Sequence, residues 1–174
     1  IKNVVSIIEK HRDSSLLIVV SAIGKTTDKL VKITESYLKQ DGECFEHLES
    51  LKQEHFNILN DLFDDHDHPV YDDIANTFVE IEWILEETPQ DDYDYLYDQI
   101  VSVGELLSTK IVAAYSSYQG VPTQWIDARD FILTDNTYGE GKVDWQRTEE
   151  KIRKDLPIIL DDYVVVTQGF IGST

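Results

Sequence analysis

Two short, almost wholly apolar runs stand near opposite ends of this 174-residue chain, at 16–20 and at 164–166. Such runs are typical of strands that are buried on both faces, as in a parallel sheet. Helical patterns precede both runs and occupy much of the sequence between them. Strands that alternate with helices predict an α/β fold, here a three-layer αβα sandwich with a mostly parallel sheet and a helical insertion. We place the first run, Leu16 to Val20, at the centre of the sheet.

The remaining elements are predicted from apolar spacing and from capping residues. A helix opens the chain, and Thr27 or Asp28 is expected to cap a second helix after the first strand. Two acidic helices at 43–63 and 71–87 should pack as a subdomain beside the sheet. A helical stretch at 94–120 should break at Ser102 to Gly104. A strand is expected at 121–130, followed by a helix that Asp144 caps and Pro157 ends. Three of the helices should each bury one apolar stripe: Ile1, Val4, Val5 and Ile8 in the opening helix; Phe45, Leu48, Leu51, Leu59 and Leu62 in the helix at 43–63; and Ile74, Phe78, Ile81 and Leu85 in the helix at 71–87.

The charge distribution excludes two classes of partner. The net charge is −19, and between residues 41 and 98 nineteen acidic residues accompany only one lysine or arginine, Lys52. Nucleic acid and anionic membranes would both be repelled by such a chain, so we expect neither as a partner. The rest of the chain is close to neutral, and an anionic substrate would be tolerated there.

Cysteine and methionine usage suggests where the chain works and how much of a protein it represents. Cys44 is the only cysteine, which argues against a disulfide framework and favours a reducing compartment, the cytoplasm. The sequence contains no signal-peptide pattern and no apolar run of membrane-spanning length. It also contains no methionine, even at position 1. We therefore expect an incomplete chain.

The stretch "SAIGKTT", residues 21–27, directly follows the first strand. Open parallel sheets bind ligands at the carboxyl ends of their strands. The hydroxyl groups of this stretch, the freedom of Gly24 and the start of the next helix suit a carboxylate or a phosphate. The spacing is not that of a P-loop. A simple capped turn explains the same residues at least as well.

Glu105 follows a glycine at the start of a helical run, in "VSVGELLS". A carboxylate held there could bind an amino group. Ordinary complementarity between a first-turn glutamate and the helix dipole is the alternative, and without further context it is favoured.

Two other groups of residues carry less chemical information. The stretch "DDHDHP" has residue types that bind metals but no recognised ligand spacing, so a solvated loop is the preferred interpretation. Trp83, Trp125 and Trp145 are interpreted as core and surface aromatics rather than as a platform for stacking nucleic-acid bases, because no basic residues accompany them.

Three stretches taken together, "VVSAIGKTTDKL", "VSVGELLSTKIVAA" and "VTQGFIGST", resemble the aspartate kinases of the amino-acid kinase family, most closely the lysine-sensitive type. "DARDFILTD" stands between the second and third, in the family's order. The resemblance implies transfer of the γ-phosphoryl group of ATP, with Mg²⁺, to the side-chain carboxylate of L-aspartate. That reaction opens lysine, threonine and methionine biosynthesis. The resemblance also implies a homo-oligomer in the full-length protein.

The resemblance also implies roles for individual residues. Ser21 and Thr27 lie in the aspartate-binding loop, Glu105 receives the substrate's amino group, and Phe170 lines the same pocket. Arg129 is a weaker correspondence with a structural role. A further set belongs to the loops that approach substrate or phosphate: Gly24, Thr26, Gly169 and Gly172.

Two family motifs do not occur in the sequence: a Lys-Phe-Gly-Gly-Thr-Ser stretch before the first strand, and a Gly-Arg-Gly-Gly-Ser-Asp loop after "GFIGS". Their lysine and arginine handle the phosphate and the substrate carboxylate. We therefore expect residues 1–174 to be the N-terminal substrate-binding part of a kinase domain, with an insertion at about 43–118 and without the nucleotide-binding half or regulatory domains. Such a fragment should show no ATP turnover alone. A catalytically silent amino-acid-binding module and another carboxylate kinase of the same fold are the alternatives.

Overall fold

A computed structural model of the chain describes residues 1–174 as seven α-helices, three β-strands and a short 3-10 helix. Contacts group the residues into two compact units, the first formed by Ile1–Ser21 and Ser108–Thr174, the second by Ala22–Leu107. None of the helices is both long enough and apolar enough to cross a bilayer. In chain order the elements are α1 (Lys2–Lys10), β1 (Leu17–Val20), α2 (Thr26–Lys39), α3 (Cys44–Leu62), α4 (Val70–Glu86), α5 (Tyr93–Val101), α6 (Val103–Tyr118), β2 (Thr123–Trp125), the 3-10 helix (Ala128–Asp130), α7 (Trp145–Asp162) and β3 (Val164–Gln168).

The sheet of the first unit is fully parallel, in the order β1-β3-β2. All five residues of β3 are buried, because strands flank it on both sides. The predicted α/β fold with a parallel sheet and helices is confirmed. The central position predicted for the first run is wrong: β1 is an edge strand, and Leu17 and Val19 are 44% and 57% exposed. An apolar run predicts a strand, but whether that strand lies at the centre or at the edge of the sheet depends on pairing between distant residues.

Helices α1 and α6 pack on the face of the sheet formed by alternate residues of β1 and β3. One cluster joins Ile8 of α1 to Val164, and a second joins Val112 of α6 to Val166. Half-buried Ile18 packs against both clusters. The opening stripe is only partly confirmed, because Val5 and Ile8 are buried whereas Val4 is 42% exposed.

Helix α7 and the segment before it confirm one predicted boundary and correct two others. The Asp144 carboxylate caps α7 by accepting a hydrogen bond from the backbone N–H of Arg147 at 3.1 Å, as predicted. Pro157 does not end the helix, which continues to Asp162 and closes with a backbone bond from Tyr163 to Ile159 at 3.0 Å. A proline removes one helical hydrogen bond, and the bonds that follow it can still form. The strand predicted at 121–130 is also shorter, because it ends at Trp125.

In the second unit, α2 packs against α3 and α5, and α3 packs against α4. The predicted stripe of α4 is confirmed, since Ile74, Phe78 and Ile81 are fully buried and Leu85 nearly so. On α3 the stripe is wrong at Phe45, which is 46% exposed. The predicted break within 94–120 is confirmed at Ser102, between α5 and α6. The acidic helices share this unit with α2, so the compact unit is wider than the predicted subdomain.

His55 occupies a buried position on α3 that apolar spacing alone did not predict. Its side chain is 1% exposed, and the ring meets Phe78 of α4 edge-on at a centroid distance of 5.5 Å. Nδ1 lies 2.9 Å from the backbone oxygen of Leu51, whereas Nε2 is buried without a hydrogen-bond partner. Burial lowers the pKa of His55; the hydrogen bond to Leu51 and the nearby Glu54 carboxylate oppose this to a smaller extent, and Lys29 adds the smallest contribution, which also lowers the pKa. His55 is therefore held in its neutral form.

We expect this buried histidine to make the protein acid-sensitive. Because the folded pKa is lowered, its contribution to stability is complete above the unfolded value near 6.5 and is lost as pH falls toward the folded value. His55→Leu should flatten this part of the profile, and at pH 8 the variant should be no less stable, since a buried unsatisfied polar atom costs about 1–3 kcal/mol. Urea unfolding midpoints measured from pH 8 to 5 check this. An unchanged acid-side slope in the variant would contradict it.

Candidate functional site

In the first unit, β1 and β3 end side by side. Val20 lies opposite Gln168 in parallel register, so Ser21 and Gly169 both leave the sheet at its carboxyl edge. A Cβ on Gly169 would lie 3.0 Å from Val19 Cγ1, so the turn after β3 packs closely on the neighbouring strand. This is the edge at which open parallel sheets bind ligands. The structure thus brings Ser21 and the start of the "GFIGS" stretch together.

Phe170 lies in the turn after β3 in an unusual conformation. Its φ is +69°, in the left-handed region that bulky residues rarely adopt, and its side chain is 99% exposed. The residues that follow are held by a parallel bridge between Leu133 and Ser173. The backbone N–H of Thr134 donates to the Ser173 oxygen at 2.6 Å, and the N–H of Ser173 donates to Ile132 at 2.9 Å. The phenyl ring is therefore presented to solvent at the sheet edge rather than packed.

Gly172 is required by this packing, whatever else the loop does. A Cβ there would lie 2.9 Å from the backbone oxygen of Ile132 and 2.9 Å from Thr134 Cγ2. We expect Gly172→Ala to destabilise the protein by about 1–3 kcal/mol, the usual cost of overpacking. Gly141→Ala is the matched control, because its Cβ would lie 3.4 Å from Thr134 Cβ, an ordinary contact. Urea unfolding of both variants measures the difference, and equal midpoints would contradict the expectation.

In the second unit, the stretch 22–27 forms a tight turn into α2. Gly24 has φ +59°, and the Thr26 hydroxyl donates to the backbone oxygen of Ile23 at 2.7 Å. The predicted cap by Thr27 or Asp28 is wrong: the N-cap position is Lys25, and no side chain caps the helix. The hydrogen bond within the turn thus accounts for Thr26 without a helix cap. Thr27 is half-buried in the first turn of α2, and the geometry of the preceding loop does not assign it a role.

Glu105 lies in the first turn of α6, beside this same turn. Its neighbour Gly104 makes the approach possible: a Cβ on Gly104 would lie 3.1 Å from Leu30 Cδ1 and 3.3 Å from both Ala22 Cβ and Thr26 Cγ2. The Glu105 carboxylate accepts hydrogen bonds from its own backbone N–H and from that of Ala22. The side chain is therefore fixed against the turn formed by residues 22–27.

The environment of Glu105 differs from that of a surface glutamate. The residue is 9% exposed, and burial raises the pKa of its carboxyl, while the two backbone hydrogen bonds partly oppose the rise. A surface glutamate that only complements a helix dipole would stay hydrated. A buried carboxylate gains far more from a cationic ligand, because charges interact strongly where water is excluded. The arrangement can bind an ammonium group.

Sequence reasoning missed two residues that build these features, Ala22 and Gln168, and it noted Gly104 without its packing role. The backbone N–H of Ala22 binds Glu105, and Gly104 allows that contact. Gln168 binds backbone and side-chain groups at the end of β3. The glycine before Glu105 was a usable signal, since a glycine within a helical run often permits close packing. The other two contacts join residues far apart in sequence.

The other singled-out residues have structural surroundings. The Arg129 guanidinium binds the Asp127 carboxylate through two nitrogens, with Nη2 at 2.6 Å from Oδ2. Trp125 donates from Nε1 to the Thr109 hydroxyl at 2.9 Å, whereas Trp83 and Trp145 are largely exposed. In the 64–69 loop, as elsewhere in the chain, no group of three or more His, Cys, Asp or Glu side chains is arranged to hold a metal ion.

The chain is similar to known proteins along its whole length. The model of the amino acid kinase family matches residues 1–174. Lysine-sensitive aspartokinase 3 of Escherichia coli (strain K12) is 31% identical over 157 residues, which are 90% of this chain and 34% of that protein. Two solved structures of E. coli aspartokinase III share the fold. The complex with aspartate and ADP (R-state) has a TM-score of 0.84 at 28% identity, over 97% of this chain and 36% of that one. The complex with lysine and aspartate (T-state) has a TM-score of 0.79 at 30% identity, over 90% and 34%.

The matched region is one part of these relatives. The chain spans about a third of the length of the curated aspartokinases of E. coli and Chlamydia pneumoniae.

Proposed function

Because this chain belongs to the amino acid kinase family, we propose that it is the substrate-binding part of an aspartate kinase. The full-length protein would transfer the γ-phosphoryl group of ATP to the side-chain carboxylate of L-aspartate, giving 4-phospho-L-aspartate and ADP. One observation carries the proposal: the fold follows, over 97% of the chain, a structure that contains aspartate and ADP, with a TM-score of 0.84. The buried Glu105 carboxylate adds chemical support from the residues themselves.

In the second unit, Glu105 is proposed to receive the ammonium group of aspartate. The carboxylate is already oriented by the N–H of Ala22, so little side-chain freedom would be lost on binding. The Thr27 hydroxyl is proposed to bind the substrate from the first turn of α2, where the helix dipole favours an anion. Gly24 and Thr26 shape that loop, Gly24 through its positive φ and Thr26 through its bond to Ile23.

In the first unit, Ser21 and Phe170 are proposed to contact aspartate. Ser21 is exposed at the end of β1, and Phe170 is exposed in the turn after β3. Gly169 and Gly172 keep that turn close to its neighbours. A phenyl ring of this kind can exclude water from a small polar ligand while leaving hydrogen bonding to other groups.

The proposed reaction is an attack by a carboxylate oxygen of aspartate on the γ-phosphorus of ATP. The new oxygen–phosphorus bond forms as the bond from the γ-phosphorus to the β,γ-bridging oxygen breaks, and ADP leaves with the electron pair. Catalysis of such a step consists mainly of positioning and charge neutralisation. This chain's residues would bind and orient aspartate. Mg²⁺ would accompany the ATP phosphates; no group of three or more His, Cys, Asp or Glu side chains in this chain is arranged to hold it.

Two broader features complete the proposal. We infer a homo-oligomer for the full-length protein from the family resemblance. We also infer a cytoplasmic, reducing location, which suits a free and buried Cys44.

The full-length protein tests the proposal directly. We expect ADP release that requires L-aspartate, together with an acyl phosphate that hydroxylamine traps as a hydroxamate. A panel with L-glutamate and acetate separates the alternatives: turnover with another acid alone would indicate a different carboxylate kinase. Binding of aspartate without turnover with any acid would indicate a silent binding module.

A further inference from the structure

Gln168, the last residue of β3, has a buried side chain, and both its amide oxygen and its amide nitrogen form hydrogen bonds. The residue is 4% exposed. Its Oε1 accepts a hydrogen bond from the backbone N–H of Ala128 at 2.6 Å. Its Nε2 donates to the Thr109 hydroxyl at 2.8 Å and to the backbone oxygen of Ile126 at 3.3 Å. One amide thus connects β3 with α6 and with the segment that follows β2.

These contacts lie directly before the strained turn. Phe170, two residues later, has a positive φ and a ring that packs on nothing, so the turn is not held by its own side chain. Strained conformations persist only where the surrounding structure determines them. The anchor before the turn is Gln168, and the anchor after it is Ser173, through its bonds to Ile132 and Thr134.

A second hydrogen bond reinforces the Gln168 anchor. The Thr109 hydroxyl also accepts from Trp125 Nε1 at 2.9 Å, so β2 is tied to the same oxygen. An apolar residue at position 168 could fill the space but could bind none of these groups. A buried and fully bonded polar network fixes one arrangement more strictly than apolar packing does.

We propose that Gln168 is a positioning residue, which fixes the Gly169–Phe170 turn at the end of β3 and so holds Phe170 in place for the amino-acid substrate. This inference rests on the proposed function for its kinetic consequence, whereas its structural consequence stands separately. Gln168 itself need not contact the substrate. It acts through the turn that follows it.

Gln168→Met tests the proposal in the full-length protein, because methionine keeps the volume and removes the hydrogen bonds. We expect kcat/KM for aspartate to fall about tenfold, less than the roughly hundredfold loss that a 1 Å misplacement can cause. KM for ATP should stay unchanged. Gln124→Met is the matched control: it lies on neighbouring β2, is exposed, and should keep wild-type kinetics. A folded Gln168→Met protein with wild-type kcat/KM for aspartate would overturn the proposal.

Two further measurements decide the matter if that variant does not fold. Thr109→Val removes the shared acceptor with little change of shape and should give a similar but smaller kinetic loss; unchanged kinetics would overturn the proposal.

In the wild-type protein, the backbone amides of Ala128 and Ser173 should exchange with solvent as slowly as those of β3. Fast exchange of Ala128 would overturn the proposed anchor even if the protein phosphorylates aspartate. Slow exchange without any aspartate turnover would overturn the proposed function and leave the anchor standing.

Discussion

Replacing Glu105 by glutamine is expected to lower kcat/KM for aspartate about tenfold to a hundredfold in the full-length protein, with KM for ATP nearly unchanged. The substitution keeps shape and removes the charge that would bind the substrate's ammonium group. A charge-assisted hydrogen bond is worth roughly 1.5–3 kcal/mol, and each 1.4 kcal/mol is about one decade in rate. Steady-state titrations of aspartate and of ATP measure the two effects. Wild-type kcat and KM for aspartate would remove Glu105 from the site.

The same substitution has a predictable effect on stability. Burial raises the pKa of Glu105, so the folded state binds the proton more tightly than the unfolded chain does. The free energy of unfolding should therefore fall as pH rises from the unfolded pKa through the raised folded pKa. Above the raised folded pKa the ionised carboxylate is therefore a destabilising group. Glu105→Gln should melt at the same temperature as the wild type or higher, and its melting should lose this pH dependence.

Glu46→Gln is the matched control, since Glu46 is an exposed glutamate in the first turn of α3. A glutamate that only complements a helix dipole contributes about 0.3–1 kcal/mol to stability and nothing to substrate binding. The control should therefore lose a little stability and keep its kinetics, while Glu105→Gln does the reverse. The two variants together separate a binding carboxylate from a dipole partner. If Glu105→Gln behaved like the control, the favoured sequence interpretation of Glu105 would be correct.

The sequence patterns correctly predicted the elements that depend on residues close together in the chain. The stripe of α4, the break at Ser102, the cap of α7 by Asp144 and the buried valines of β3 all follow from spacing or from neighbouring residues. A helix stripe is readable because its apolar residues recur every three or four positions. A side-chain cap is readable because its partner lies two or three residues away.

The candidate site depends on contacts that no local pattern carries. Gln168 and Thr109 are 59 residues apart, and Glu105 meets the N–H of Ala22 across more than eighty residues. The edge position of β1 likewise follows from its pairing with β3. The family resemblance supplied Phe170 as a candidate and favoured a binding role for Glu105, which its position alone had left open. The structure added the reasons why their neighbourhoods are buried or strained.

The second large expected effect concerns the core of the acidic helices. Phe78→Ala should lower the free energy of unfolding by about 3–5 kcal/mol, the usual range for truncating a buried phenylalanine. Phe78 is fully buried on α4 and meets the ring of His55 on α3. Rigid helix backbones on both sides would prevent the space from collapsing, so the cavity remains and its full cost is felt. Urea unfolding measures the loss as a lower midpoint at an unchanged slope.

Phe45→Ala is the control for this prediction, because the same side chain on α3 is 46% exposed. Surface substitutions of this kind usually change stability by no more than about 0.5 kcal/mol. The pair also tests how the acidic helices remain folded despite their charge. If apolar burial between α3 and α4 outweighs the repulsion among their carboxylates, Phe78→Ala should be partly rescued by salt, which screens that repulsion. Equal losses in the two variants would mean that the α4 stripe does not form the core of this unit.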